Sequence, residues 1–182
     1  WLVFRLTGQA CIDVYDSSLF EPFFDAAALQ WEPALDSIVA PIAMMPRPSW
    51  TCDQAGTVTA GAARETGLAE GTPVIVGTAD AAAEAVSAGL TSVGDMMLMY
   101  GSSTFFILRT PSLLSPVGFW GTRFLEPGTY AVAGGTATAG SITRWFRDAF
   151  APTELEAERE GRGDAYAALA LLAESSPAGS RG

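Results

Sequence analysis

The sequence contains no histidine and no lysine. Without histidine there is no histidine-based triad, no imidazole metal ligand and no ordinary neutral-pH proton shuttle. All ten basic residues are arginines, so acid–base chemistry falls to a carboxylate, with Tyr or Cys as weaker substitutes. Two cysteines, Cys11 and Cys52, are too few and too unpatterned for a disulfide framework or a zinc site. A reducing cytoplasm is therefore the expected setting, and no metal-ligating set is expected. No run of about eighteen uninterrupted apolar residues occurs, so no membrane span is expected. The opening WLVFRLTG has neither a basic leader nor a cleavage region and does not read as a secretory signal. The chain starts without Met and closes on PAGSRG, and the expectation is an internal stretch of a longer protein.

What is present is acidic and apolar. Twenty acidic against ten basic residues give a net charge of −10, which disfavours nucleic acid and anionic membranes as partners. An apolar content of 49% over 182 residues suffices for the core of one large domain or two small ones. Residues 1–8 read as a short apolar element ending at Thr7-Gly8, and residues 10–33 as a loop with brief structure. Leu35–Ile42 reads as a short helix leading into the proline-rich connector PIAMMPRPSW. Thr59 looks like a helix N-cap, with Gly67 as the stop. Pro73–Val76 is a candidate buried strand, and residues 80–89 form a small-residue helix. Residues 96–100 and 104–108 read as two strands joined by a turn. Residues 109–121 are rich in Pro, Ser and Gly, and residues 129–133 form another strand. Ile142, Trp145, Phe146 and Phe150 recur at helical spacing, so a helix is expected from near Thr138, with Trp145 and Phe146 in the core. Residues 154–164 are charged and solvated, and residues 166–173 form a last apolar helix. Strands alternating with helices indicate a mixed α/β core.

Chemistry concentrates between Val76 and Leu108. The strand before VGTAD ends in a small-residue turn that delivers Asp80 to the start of a helix. A carboxylate there can take the proton of an attacking hydroxyl; it can also be simply a helix N-cap, which the local sequence favours. The two roles are compatible, because strand–helix junctions are where α/β folds bind ligands. Gly101-Ser102-Ser103-Thr104 can offer N–H groups and hydroxyls to phosphate oxygens, or be an ordinary hairpin turn. Gly134, Gly135 and Gly140 surround a helix start, which suits an anion and equally suits close helix–strand packing. Asp13 and Asp16 could meet a polyol, but structuring a turn is the favoured reading.

The order of these segments resembles the FGGY family of carbohydrate kinases, whose members include xylulokinase, ribulokinase and glycerol kinase. FRLTG followed by DVYDSS is similar to the family's R-L-T-G…T-D-x-S-x-A-S stretch. GTVTAGAARETGLAEGTPVIVGTAD matches its G-x-V-T-x-x-A-A-x-x-T-G-L-x-x-G-T-P-V-x-x-G-x-x-D run. MYGSSTFF stands where the family has G-T-S or G-T-G, and GGTATAGSITRWFRD resembles G-G-x-x-x-x-G-x-x-x-x-W-x-R-D.

The resemblance implies an actin-like ATPase, ribonuclease-H-like α/β fold, present in part and spanning the junction of two domains. Residues 1–109 would be the C-terminal part of the sugar-binding domain, and residues 110–182 the start of the nucleotide-binding domain. It implies ATP-dependent phosphorylation of a sugar hydroxyl, on a pentulose such as xylulose or ribulose or a related polyol, with ATP and Mg²⁺ as cofactors. Asp80 would be the catalytic base and, with Ala81, would contact the sugar. Gly101, Ser102 and Ser103 would meet the nucleotide phosphates, Gly140 would lie against the nucleotide, and Arg144 takes a position that is a glutamine in glycerol kinase. The implied partners are a small sugar and a nucleotide, with a homodimer possible. Three departures stand out. Ala81 replaces the frequent Gln or Asn, Ser102 replaces Thr, and the family's D-x-G-T phosphate loop and Gly-rich adenosine segment are absent. This stretch alone is therefore expected to be inactive. The rival readings are a non-catalytic sugar- or partner-binding protein with the kinase fold, and an unrelated α/β domain.

Overall fold

The structure is a computed structural model that describes residues 1–38 and 40–181. The chain forms two compact units, one of residues 1–98 and 106–134, the other of residues 99–105 and 135–182.

In the first unit α1 (Leu2–Thr7) ends where Gly8 turns left-handed at φ 73° and donates its N–H to Phe4. β1 (Cys11–Asp13) leads directly into α2 (Val14–Ser18), because the Asp13 side chain accepts from the Asp16 N–H and caps the helix. β2 (Phe24–Asp25) and β3 (Gln30–Trp31) pair antiparallel. Arg123 ties down the turn between them by donating Nε–H to the Ala26 carbonyl at 2.6 Å and Nη2–H to that of Ala27 at 3.0 Å. Short 3₁₀ turns at Pro33–Leu35 and Ile42–Met44 replace the helix expected over 35–42; Val39 lies outside the described residues. The prolines at 33 and 41 bracket this segment and interrupt a continuous helical ladder.

β4 (Arg47–Ser49) runs parallel to β1, pairing Asp13 with Ser49. β5 (Gln54–Thr57) precedes α3 (Ala60–Thr66), which follows the sequence reading closely. Thr59 accepts from the Ala62 N–H, and Gly67 ends the helix at φ 78°. β6 (Pro73–Ile75) returns antiparallel to β5. It is a strand as expected but not a buried one, since Ile75 is 54% exposed. α4 (Asp80–Ser87) then packs through Ala82 and Ala85, both fully buried.

β7 (Met96–Tyr100), β8 (Thr104–Thr110), β9 (Trp120–Arg123) and β10 (Tyr130–Thr136) make one sheet in the order β7-β8-β10-β9. β9 falls at the end of what the sequence suggested was a Pro/Gly loop. Ile107 and Phe124 anchor the core of the first unit, with Tyr15 edge-on to Phe124 at 6.0 Å between centroids. Burying each such side chain contributes about 1.5–3 kcal/mol.

The second unit carries α5 (Gly140–Phe150), α6 (Pro152–Arg159) and α7 (Ala165–Glu174). Pro152 starts α6 and Asp164 caps α7 through the Ala167 N–H. Arg147 joins the three helices. Its guanidinium meets Asp148 at 2.7 Å, approaches Glu158 at 3.8 Å and lies 4.8 Å from the Tyr166 ring centroid. The helical spacing of Ile142, Trp145 and Phe146 is real, but Trp145 is 57% and Phe146 47% exposed. Their stripe faces an open groove against Leu169 and Leu172 of α7 and is not a closed core. The charged stretch after Phe150 is largely solvated, as expected, yet most of it is α6.

Candidate functional site

Asp80 is presented by a loop whose path is set from below. After β6, the Val76 N–H donates to the Asp53 carbonyl and the Gly77 N–H to that of Thr51, both at 3.0 Å. Gly77 then adopts φ 78°, a conformation that favours glycine and swings the chain toward α4. The Thr78 hydroxyl donates to Asp13 Oδ2 at 2.7 Å. The N-cap of α4 is Ala79, not Asp80, so the cap reading needs correction: Asp80 is the first residue of the helix. Its carboxylate is exposed, and Oδ1 accepts from the Ala81 N–H at 2.7 Å. Among the described residues no arginine forms an ion pair with it. Ala81 is half-buried and brings only a methyl group.

Two further carboxylates belong to this neighbourhood. Asp13 is 2% exposed, with Asp16 N–H, Thr51 and Thr78 as its donors. The favoured turn role therefore holds for Asp13, and Asp16 lies in the first turn of the helix that Asp13 caps. Asp16 is pushed up to about 7, first by burial, then by the charge and hydrogen bond of Asp13, then by Asp80. Tyr15 is pushed up to about 12 by burial and by the same three carboxylates. The folded protein thus holds the Asp16 proton across a range in which the unfolded chain releases it. Stability attached to this proton is complete below the ordinary value of 3.8 and is lost as pH rises to about 7. Asp16→Asn should remove that part of the slope and stabilise the protein relative to its parent at pH values above about 7. Denaturation midpoints across a pH series check this, and parallel curves for the two proteins would contradict it.

The phosphate-side candidates meet in the second unit. The turn after β7 closes with the Gly101 N–H donating to the Ser103 carbonyl at 2.8 Å. Its carbonyls face the start of α5. Ala139 N–H donates to Ser102 O at 2.7 Å, Gly140 N–H to Gly101 O at 2.8 Å, and Ser141 Oγ to Ser102 O at 2.9 Å. The helix start is therefore occupied by the turn and is not an open anion site, which corrects one of the two readings of these glycines. A Cβ on Gly140 would sit 2.6 Å from the Gly101 carbonyl oxygen, and one on Gly135 would collide with the Thr104 carbonyl. Close packing is what requires glycine at both positions. The turn itself still has donors to offer. The N–H groups and hydroxyls of exposed Ser102 and Ser103 have no partner among the described residues, which fits phosphate oxygens. Arg144 lies one turn along α5, 75% exposed, with Nε 3.8 Å from Asp148.

The sequence-predicted residues thus fall into two sets, Asp80 and Ala81 in the first unit, Gly101, Ser102, Ser103, Gly140 and Arg144 in the second. The residue that sequence reasoning undervalued is Thr78. The signal was the hydroxyl in VGTAD, which had no role until its buried partner was seen. Among the described residues, no group of three or more His, Cys, Asp or Glu could hold a metal ion.

A family model described as the FGGY family of carbohydrate kinases, N-terminal domain, matches residues 1–87. The autoinducer-2 kinase of Enterobacter sp. (strain 638) is 31% identical over 186 residues, covering 100% of this chain and 35% of its own. The xylulose kinase of Rhodospirillum rubrum matches in structure with a TM-score of 0.77 at 35% identity, over 97% of this chain and 35% of that one. The glycerol kinase of Plasmodium falciparum, solved with ADP, matches with a TM-score of 0.68 at 22% identity, over 81% of this chain and 30% of that one; that likeness shows the fold alone. The chain spans about a third of the length of the relatives it matches, 35% in the first two cases.

Proposed function

Because this chain belongs to the FGGY family of carbohydrate kinases and carries part of its actin-like, ribonuclease-H-like α/β fold, we propose that the intact protein phosphorylates a sugar hydroxyl with ATP. The observation that carries this reading is the placement of Asp80 at the first position of α4, exposed and without an ion-pair partner among the described residues. A sugar hydroxyl is a weak nucleophile at neutral pH. A carboxylate able to accept its proton as the oxygen attacks the γ-phosphorus supplies what the hydroxyl lacks. One Asp80 oxygen is held by the Ala81 N–H, which orients the carboxylate while leaving the other oxygen for the substrate.

On the nucleotide side, the free N–H and hydroxyl donors of Ser102 and Ser103 would neutralise phosphate oxygens. Ser keeps the hydroxyl of the family's Thr, and membership of a kinase family supports nucleotide use. Gly140 holds the turn against α5, so its part is to shape the nucleotide side and let Arg144 approach it. Mg²⁺ would offset phosphate charge when bound with the nucleotide. In this reading residues 1–109 belong to the sugar-binding domain and residues 110–182 to the nucleotide-binding one. The intact protein works in the cytoplasm, consistent with two free cysteines.

The substrate class is a pentulose or a related polyol. Ala81, which cannot hydrogen-bond through its side chain, disfavours glycerol, and the xylulose kinase likeness supports a five-carbon ketose. A panel of ketoses and polyols incubated with ATP, Mg²⁺ and the intact protein tests it by ADP release. Sugar-dependent release with a pentulose is the expected result. Tight sugar binding with no ADP release from any member would leave a non-catalytic sugar-binding protein instead.

A further inference from the structure

We propose that Asp13 is a positioning residue for this reaction, acting through Thr78 to hold the loop that presents Asp80. The inference rests on the reading of Asp80 as the base. Asp13 is 2% exposed, and donors from three separate parts of the chain converge on it. The Asp16 N–H reaches Oδ1 at 3.1 Å, the Thr78 hydroxyl reaches Oδ2 at 2.7 Å, and the Thr51 hydroxyl reaches Oδ2 at 3.4 Å.

Capping α2 explains only one of these bonds. A Ser, Thr or Asn would cap as well, and none would need to be an anion. What a carboxylate adds is a second, charged acceptor oxygen, and that oxygen takes the Thr78 hydroxyl at the shorter distance. Charge-assisted hydrogen bonds are roughly twice as strong as neutral ones, and burial strengthens them further.

Thr78 stands two residues before Asp80, between the end of β6 and the start of α4. The loop's backbone ties, from Val76 and Gly77, both lie at or before the left-handed Gly77. Beyond that pivot, among the described residues, the Thr78–Asp13 bond is the tie that holds the chain until the helix begins. Without it the chain can rotate at Gly77, and the first turn of α4 carries the Asp80 carboxylate with it.

The test uses steady-state kinetics and thermal unfolding of the intact protein. Thr78→Val should lower kcat about ten- to a hundredfold, the order of loss expected for a misplaced catalytic group. The KM values for sugar and ATP should stay within about twofold, because ground-state binding is not what the bond serves. Asp13→Asn should lose a similar factor, and the double variant should be no worse than the weaker single one, since both act through one bond. Thr78→Ser, which keeps the hydroxyl, should restore turnover. Thr51→Val removes the longer bond to the same carboxylate and should lower the unfolding temperature while leaving kcat unchanged.

A loss in Thr78→Val that only follows its unfolded fraction, multiplicative losses in the double variant, or no rescue by Thr78→Ser would each reduce Asp13 to a structural residue and overturn the proposal. Failure of the base reading shows separately. Asp80→Asn would then retain turnover whatever Thr78→Val does.

Discussion

Asp80→Asn in the intact protein should reduce turnover on the order of 10³-fold, within the usual range for removing a general base. The argument runs through three properties of the site. The amide is the same size as the carboxylate, and its oxygen still accepts the Ala81 N–H that now holds Oδ1 at 2.7 Å. It cannot accept the sugar proton. Ala79, not Asp80, is the N-cap of α4, and Asp80 is exposed, so the helix loses no cap and no buried partner. The stability change should therefore stay within about 0.5 kcal/mol, as for other surface substitutions. Sugar binding should persist, because the amide still hydrogen-bonds to hydroxyls. The signature is a collapse of kcat with the KM for sugar little changed, read from initial rates alongside an unfolding curve. Equal loss of binding and turnover would instead make Asp80 a sugar ligand only.

The second large effect is expected at Gly140, and it should have the opposite kinetic signature. An alanine Cβ there would stand 2.6 Å from the Gly101 carbonyl oxygen, a backbone atom that cannot simply rotate away. Relief requires the turn and the helix to separate, stretching the four bonds that Ala139, Gly140 and Ser141 make to it. Overpacking of this kind costs about 1–3 kcal/mol. The damage falls on Ser102 and Ser103, whose free donors are set by the turn. Gly140→Ala should raise the KM for ATP about tenfold, the equivalent of roughly 1.4 kcal/mol, and leave the KM for sugar unchanged. Nucleotide titration of the intact variant, paired with its unfolding curve, checks it. An unchanged KM for ATP, or equal effects on both substrates, would contradict the assignment of this turn to the nucleotide.

The legible parts of the fold are those in which a few neighbouring residues carry the whole instruction. α3 is legible because Thr59 and Gly67 mark its two ends by local hydrogen bonding and backbone freedom alone. α4 and the β7–β8 turn are legible for similar reasons. The strands β1 to β4 are only two or three residues long. No periodicity can develop over that length, and their pairing is set by distant partners such as Asp13 and Ser49. Exposure was illegible at two apolar segments. Ile75 looked buried and is open, and the stripe of Trp145 and Phe146 looked like core and lines a groove. An apolar pattern reports which face is apolar, not what covers it.

The candidate site divides along the same line. Asp80 and the Gly-Ser-Ser turn were visible because each is a short local pattern. The role of Gly140 was ambiguous until the Gly101 carbonyl was seen against it. The bond from Thr78 to Asp13 joins residues 65 apart in sequence, so no local reading could have reached it.

The most direct measurement is single-turnover transfer of the γ-phosphoryl group from ATP to a bound pentulose by the intact protein, run beside its Asp80→Asn variant. The account predicts sugar phosphate from the parent enzyme, and a variant that binds the same sugar yet transfers on the order of 10³-fold more slowly. Transfer by the variant at the parent rate, or a parent that binds sugar and forms no sugar phosphate, would contradict it.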